Sequence, residues 1–285
     1  SLQTPPSLQQ KSHDDRRVPF PTPERTAELH EALRDIRAQV HTATPPGATH
    51  TPTLPLSDIL ACYEAGQRDF GENYVQELHD KAQKVAELAE SQGSQQDPIR
   101  WHFIGALQSN KAGILAKIPN LHCVQTVSST KIATYLNKNL PPERTTPLNM
   151  LLQVNTSGED NKAGIFWSST SELTALALHV IQECPNLHLQ GLMTIGSLSE
   201  SLSDGDENKD FKTLIGVRDT LEAALKEAAG AGAGGWGEDG RLLLSMGMSS
   251  DFKAALAAGS DVVRVGTGIF GARPKKEAVA SAPAS

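Results

Sequence analysis

The chain has 285 residues, of which 38% are hydrophobic, 21% charged and 5% aromatic, and its formal net charge is −7. This length can bury a sizeable core in one large domain. No stretch approaches the ~18 consecutive apolar residues of a membrane-spanning helix. The acidic balance, without blocks of Lys and Arg, argues against a nucleic-acid surface. The three isolated cysteines, Cys62, Cys123 and Cys184, fit a reducing compartment and predict neither a disulfide framework nor a zinc site.

Both ends of the chain are predicted to be unstructured tails. Residues 1–21 are rich in Ser, Gln and Pro without an apolar period, and residues 274–285 are mostly Lys, Ala, Pro and Ser. Asp14 and Asp15 argue against a transit peptide, because such peptides are poor in acidic residues. We therefore expect a single domain over residues 22–273. We also expect a cytoplasmic protein, with a mitochondrial pool as the alternative.

Between the tails, short apolar runs alternate with amphipathic runs, which predicts alternating strands and helices. A first helix is predicted from Thr22 to Val40, because Pro23 suits a first helical turn and apolar residues recur at helical spacing. Strands are predicted at 69–71, 101–107, 122–127, 148–155, 187–195, 241–246 and 261–266. Further helices are predicted at 57–65, 75–85, 109–118, 129–139, 168–184, 206–229 and 250–258. Several strands are nearly continuous apolar runs, such as Met150-Leu151-Leu152, as in parallel strands covered on both faces. The alternation predicts an α/β protein.

Two segments break this alternation. Residues 228–240 are rich in Ala and Gly and are predicted to form a flexible surface insertion. Residues 41–56 lie between two predicted helices, where an α/β unit would place a strand. They contain four prolines and no apolar run, and proline cannot donate to a strand ladder. We interpret this segment as a loop in the position of a missing or degenerate first strand.

The ends of the last two predicted strands carry groups that suit an anion. Arg264 is followed by Gly266 and Thr267, and the preceding strand carries Ser245 and is followed by Ser249. Glycine lets a backbone N–H approach an anion closely, and the hydroxyls add donors. In parallel α/β barrels phosphate often binds beyond the last two strands. A tight turn with serine helix caps explains the same residues equally well.

Polar residues also follow other predicted strands. Asn73 could contact a ring substituent or cap the next helix, and His102 fits a hydrogen-bonded structural group better than a catalyst. Lys111 and Lys162 lie in loops after strands. No paired carboxylates, Ser/His/Asp set or metal-ligand spacing stands out, so we predict no catalytic and no metal-binding residues.

Five motifs carry a resemblance to a known family. FGENYVQEL, WHFIGALQSNK, GLMTIG, LSMGMSSDF and RVGTGIFGAR occur in this order and closely resemble the pyridoxal phosphate homeostasis protein family. The resemblance implies a TIM-type (β/α)8 barrel like the N-terminal domain of alanine racemase, with one pyridoxal 5′-phosphate at its top. It implies a cofactor-binding, buffering and delivery function without catalytic turnover. It also places the phosphate on Arg264, Gly266, Thr267, Ser245 and Ser249.

The same resemblance places Asn73 near the cofactor ring and exposes one departure. The family's first strand ends in Ser-Lys, and that lysine forms a Schiff base with the cofactor aldehyde. Here the corresponding position falls near Pro52, and no lysine occurs between Lys11 and Lys81. We therefore expect non-covalent and weaker cofactor binding, unless Lys162 or Lys111 supplies the amine. We also expect lower stability, because the strands flanking the gap lose a neighbour.

Alternatives remain at this point. A racemase- or decarboxylase-like enzyme would need the lysine and an opposing acid/base group. A barrel enzyme for a phosphorylated metabolite shares the anion site, and fold alone cannot support it. A degenerate relative with weak cofactor binding, or an error in the gene model at 41–56, would also explain the departure. We expect a monomer without nucleic-acid or membrane partners, with cofactor-dependent enzymes as potential clients.

Overall fold

The described part of the chain forms one parallel sheet covered by helices. The computed structural model describes residues 21–43, 49–50, 55–92, 97–201, 208–229 and 235–271. The strands are β1 (Thr49–His50), β2 (Asp69–Glu72), β3 (Arg100–Phe103), β4 (Leu121–Val127), β5 (Leu148–Asn155), β6 (Ile165–Phe166), β7 (Leu187–Met193), β8 (Leu243–Met248) and β9 (Val262–Arg264). The α-helices are α1 (Pro23–Ala43), α2 (Leu56–Glu64), α3 (Val75–Gln92), α4 (Ala112–Leu115), α5 (Thr130–Asn139), α6 (Thr170–Glu183), α7 (Leu198–Ser201), α8 (Lys209–Ala229), α9 (Phe252–Ala257) and α10 (Thr267–Phe270). None of the described helices combines the length and apolar character needed to cross a membrane.

The strands follow one another around a nearly closed barrel. Their order is β1-β2-β3-β4-β5-β7-β8-β9, every pairing is parallel, and β6 pairs with β5 beside this path. β1 also lies next to β9, which brings the two ends of the sheet together. The expected α/β barrel is therefore confirmed.

The first strand is degenerate rather than absent. Thr49 pairs with Phe70 and His50 pairs with Gly71, so the prediction that 41–56 is entirely a loop was wrong. Its prolines, Pro45, Pro46, Pro52 and Pro55, flank this two-residue ladder and leave its backbone groups able to pair. The start of the segment belongs to α1 and its last residue begins α2. Its remaining residues, 44–48 and 51–54, lie outside the described residues.

Most of the other predicted elements are confirmed, with shifted ends. The strand predicted at 101–107 stops at Phe103, and the helix predicted at 109–118 is a 3₁₀ turn followed by the short α4. Arg241 was predicted in a strand but lies in a tight turn with Glu238. β6 and α7 were not predicted, because two and four residues are too short for a periodic signal. The tails lie outside the described residues apart from residue 21, and so do residues 230–234 of the predicted insertion. The prediction that 228–240 is a flexible surface segment was wrong for 228–229, which belong to α8, and for Trp236, which is buried in the core.

Side-chain alternation along the strands separates two interiors. One face of each strand packs against the helices in a large apolar core that includes Val124, Leu152 and Leu244. The opposite face fills the barrel, where Cys123, Leu151 and Met193 form a small separate apolar cluster. Around that cluster the barrel interior is polar, with buried Gln, His, Ser and Arg side chains. Functional groups therefore concentrate inside the barrel and at its carboxyl-end rim.

Candidate functional site

A small polar cup forms where β8 and β9 end. The Ser249 hydroxyl accepts hydrogen bonds from the backbone N–H of Gly266 at 3.1 Å and of Gly268 at 3.3 Å. Thr267 and Gly268 are exposed and open α10. We call Ser249, Gly266, Thr267 and Gly268 the cup. Its hydroxyls and backbone amides lie at the rim and are groups that can donate to an anion.

The backbone turn that builds the cup depends on one glycine. Gly247, in β8, has a φ of +94°, which lies in the left-handed region that favours glycine. A Cβ at this position would lie 2.5 Å from the Cβ of Ala255. Gly247 therefore lets the end of β8 turn toward β9 and α9, which brings Ser249 over Gly266.

A buried cation lies inside the barrel at the end of β9. Arg264 is 4% exposed, and its Nη1 donates to the carbonyl oxygen of Ser245 at 3.1 Å and to its hydroxyl at 2.7 Å. Its Nη2 donates to the carbonyl oxygen of Thr194 at 2.7 Å. Burial lowers the pKa of Arg264 to about 10, opposed by the charge of Asp251. Arg264 is therefore still a cation at neutral pH and is fixed by three hydrogen bonds.

Asn73 lies on the same rim, directly after β2. Around the barrel β1 separates β2 from β9, so Asn73 lies two strands away from the end of β9. Gly105, beyond β3, packs against its backbone, and a Cβ at Gly105 would lie 1.8 Å from the Asn73 carbonyl oxygen. The backbone of Asn73 is therefore held in place by close packing.

The structure brings the six predicted site residues to one end of the barrel in three groups. Ser245 and Arg264 contact each other in the interior, Ser249 contacts Gly266 beside Thr267 at the rim, and Asn73 lies across β1. Ser245 is fully buried, so it lies deeper than the cup.

The two lysines considered as substitute amines differ in position. Lys162 follows β5, and its Nζ donates to the carbonyl oxygen of Gly196, beyond β7, at 3.1 Å and pairs with Glu159 at 2.8 Å. Asn155, at the end of β5, orders the intervening loop by donating to the carbonyl oxygen of Glu159 at 2.8 Å. Lys111 is exposed in the 3₁₀ turn after β3. Of these two lysines, Lys162 is therefore the one held over the mouth of the barrel.

Sequence reasoning missed several interior residues. Gln125 on β4 is buried and bonded to both Ser245 and His102, and Thr194 accepts from Arg264. The Thr194 hydroxyl also donates to the carbonyl oxygen of Val154 at 2.9 Å. The available signal for Gln125 was a long amide side chain in the middle of a strand whose residues are nearly all buried. His102 is hydrogen-bonded on both ring nitrogens, consistent with the structural interpretation.

Together, the parallel barrel and the polar groups at its carboxyl end define a protein of the alanine racemase N-terminal type. The profile of the family "Alanine racemase, N-terminal domain" matches residues 56–274. A D-threonine aldolase from Filomicrobium marinum has the same fold at a TM-score of 0.62, but its 12% identity supports the fold alone.

More similar relatives narrow this class. The pyridoxal phosphate homeostasis protein of Caenorhabditis elegans is 44% identical over 220 residues, which cover 76% of this chain and 82% of that one. The human protein of the same name is 41% identical over 227 residues, which cover 78% of this chain and 74% of the human protein. PipY of Synechococcus elongatus, solved with pyridoxal phosphate bound, has a TM-score of 0.65 at 28% identity and covers 85% of this chain and all of its own. The chain belongs to the pyridoxal phosphate homeostasis protein family.

Proposed function

We propose that this chain binds pyridoxal 5′-phosphate at the carboxyl-end mouth of the barrel and acts in the homeostasis of that cofactor without turning over a substrate. The observation that carries the proposal is the cup at the rim, whose residues 266–268 follow closely in the chain after a buried arginine that is fixed by hydrogen bonds. Membership of a family named for the cofactor, and a relative solved with the cofactor bound, support the same ligand.

The residues present fit the phosphate group. The cup offers two backbone N–H groups and the Ser249 and Thr267 hydroxyls, and a phosphate oxygen can replace the Ser249 oxygen as their acceptor. Arg264 and Ser245 contribute from below, since a cation in a low-dielectric interior favours an anion nearby. Asn73 would meet the ring from the opposite side of β1.

Retention here relies on contacts rather than on a covalent bond. The cofactor supplies an aldehyde that a lysine amine can trap, but no lysine occurs between Lys11 and Lys81. Lys162 is the better substitute of the two lysines considered, because it already reaches over the mouth, whereas Lys111 is exposed. Its ion pair with Glu159 keeps the amine engaged, so we propose non-covalent binding as the resting state.

The finer features of this function are also proposals. We propose a cytoplasmic monomer that buffers the cofactor and delivers it to client enzymes. The reducing compartment is supported by three cysteines that are buried and free. Burial raises the pKa of Cys62 to about 12, so its thiol is unreactive at neutral pH.

The test compares pyridoxal 5′-phosphate with pyridoxal, which lacks the phosphate. Isothermal titration should show saturable binding of the phosphorylated form and at least about tenfold weaker binding of pyridoxal, because charge-assisted hydrogen bonds are lost. Ser249→Ala should reduce the difference in affinity between pyridoxal 5′-phosphate and pyridoxal. The matched control is Ser91→Ala, an exposed serine at the end of α3. Equal affinities for the two compounds in the wild type would refute the cup as the phosphate site.

A further inference from the structure

A continuous chain of buried hydrogen bonds crosses the barrel interior from β9 to β2. Arg264 Nη1 lies 2.7 Å from Ser245 Oγ, which lies 2.7 Å from Gln125 Oε1. Gln125 Nε2 lies 3.2 Å from His102 Nδ1, and His102 Nε2 lies 3.0 Å from Asp69 Oδ1. The three middle residues, Ser245, Gln125 and His102, are 0%, 1% and 7% exposed. The chain thus links the buried cation of the site to a carboxylate near the other end of the barrel.

With a neutral His102 ring between them, the two ends fix the direction of every hydrogen bond in this network. Arg264 can only donate, and an ionised Asp69 can only accept. Burial alone would raise the pKa of Asp69, but hydrogen bonds from Arg100 and His102 outweigh burial and hold the pKa well below its usual range. Asp69 is therefore ionised.

Because Asp69 is an acceptor, a neutral His102 ring has its proton on Nε2, which leaves Nδ1 as an acceptor. The Gln125 amide must then present its NH₂ group to Nδ1 and its oxygen to Ser245. The Ser245 hydroxyl consequently donates its proton to Gln125 and accepts from Arg264. A residue on β3 thus determines where a hydroxyl on β8 points.

We infer that His102 and Gln125 are positioning residues for cofactor binding, acting through Ser245 on the guanidinium of Arg264. Neither was predicted to touch the cofactor, and both are sequestered in the interior. With its proton committed to Gln125, Ser245 keeps a lone pair aimed at Arg264, which holds the cation in one orientation at the mouth. This inference rests on the proposed function, because its effect is read as cofactor affinity.

Two substitutions at His102 separate positioning from simple structural support. The amide of Asn reaches about as far as Nδ1, and the amide of Gln about as far as Nε2. His102→Asn can therefore still accept from Gln125, whereas His102→Gln keeps only the contact with Asp69. We expect His102→Asn to bind pyridoxal 5′-phosphate nearly as tightly as the wild type and His102→Gln to bind about tenfold more weakly. Equal affinity losses in both variants would overturn the inference.

A double-mutant cycle provides the second arm. Gln125→Met keeps the volume but removes the polar link, and Ser245→Ala removes the group through which it acts. We expect each change to weaken binding of pyridoxal 5′-phosphate, and the double variant to be no weaker than Ser245→Ala alone. Additive losses would overturn the inference.

A spectroscopic measurement on the ligand-free protein keeps the inference testable if a variant fails to fold. The ¹⁵N chemical shifts of the His102 ring should report a proton on Nε2 and none on Nδ1, and Gln125→Met should change this signature. A proton on Nδ1 in the wild type would contradict the hydrogen-bond directions from Arg264 to Asp69. If the wild type does not bind pyridoxal 5′-phosphate at all, the proposed function fails. The ¹⁵N shifts of the His102 ring still test the hydrogen-bond directions in that case.

Discussion

The ion pair between Glu72 and Lys81 is a buried charge pair whose loss should be costly. Glu72, the last residue of β2, is fully buried, and the ammonium of Lys81 on α3 contacts its carboxylate. The Lys81 side chain is 12% exposed, and Glu77 lies 3.8 Å from its Nζ. Because Glu72 directly precedes Asn73, this pair also anchors the site to α3.

Lys81→Met removes the cation and leaves a carboxylate in the interior. Breaking a buried pair in this way costs about 3–5 kcal/mol, because the buried carboxylate has lost the cation that it was paired with. Replacing both residues in Glu72→Met/Lys81→Met should recover most of that loss, since buried pairs replaced by apolar groups of similar volume are often close to neutral.

The assay is urea unfolding at pH 7.5, with the free energy of unfolding obtained by linear extrapolation. The matched control is Lys84→Met on the same helix, whose exposed pair with Glu87 at 3.2 Å should contribute under about 0.5 kcal/mol. A loss under about 1 kcal/mol for Lys81→Met, or a double variant less stable than the single one, would refute the reasoning.

Two further substitutions have expected outcomes. Gly105→Ala should destabilise the fold by about 3 kcal/mol and weaken cofactor binding, because its Cβ would collide with the Asn73 backbone. The control is Gly216→Ala on α8, where the added Cβ meets no atom, and it should stabilise the fold by about 0.5–1 kcal/mol. Equal unfolding midpoints for the Gly105→Ala and Gly216→Ala variants would contradict this prediction. Burial lowers the pKa of His122 from 6.5 to about 4, so the stability that its neutral ring contributes is retained above about pH 6.5 and lost as the pH falls toward 4. His122→Asn should remove about 2 kcal/mol of that acid-induced loss after allowance for part exposure, and an unchanged difference between pH 7.5 and pH 4.5 would argue against it.

The sequence predicted the long strands and helices of the fold better than the short strand β1, which closes the barrel. Apolar runs such as Met150-Leu151-Leu152 in β5 identify strands because both faces of a parallel strand are covered. The two-residue β1 carries no such pattern. The prolines that flank it in the sequence argued against any strand there. Pairing of Thr49 and His50 depends on backbone groups offered by β2, which no local signal reveals.

The site shows the same division between local and long-range information. Ser249, Gly266 and Thr267 were predictable, because glycines and hydroxyls at strand ends suit anions regardless of the rest of the chain. The chain of hydrogen bonds was not, because Gln125 and Ser245 are 120 positions apart and meet only when the barrel closes.

The most direct test of the central claim is borohydride treatment of the wild-type chain saturated with pyridoxal 5′-phosphate, followed by unfolding and peptide mapping. The claim is that the cup and Arg264 hold the cofactor without the lysine of the first strand. It predicts stoichiometric binding before treatment and no modified lysine afterwards, with the cofactor released on unfolding. Modification of Lys162 or Lys111 would contradict non-covalent retention, and absence of saturable binding would contradict the account as a whole.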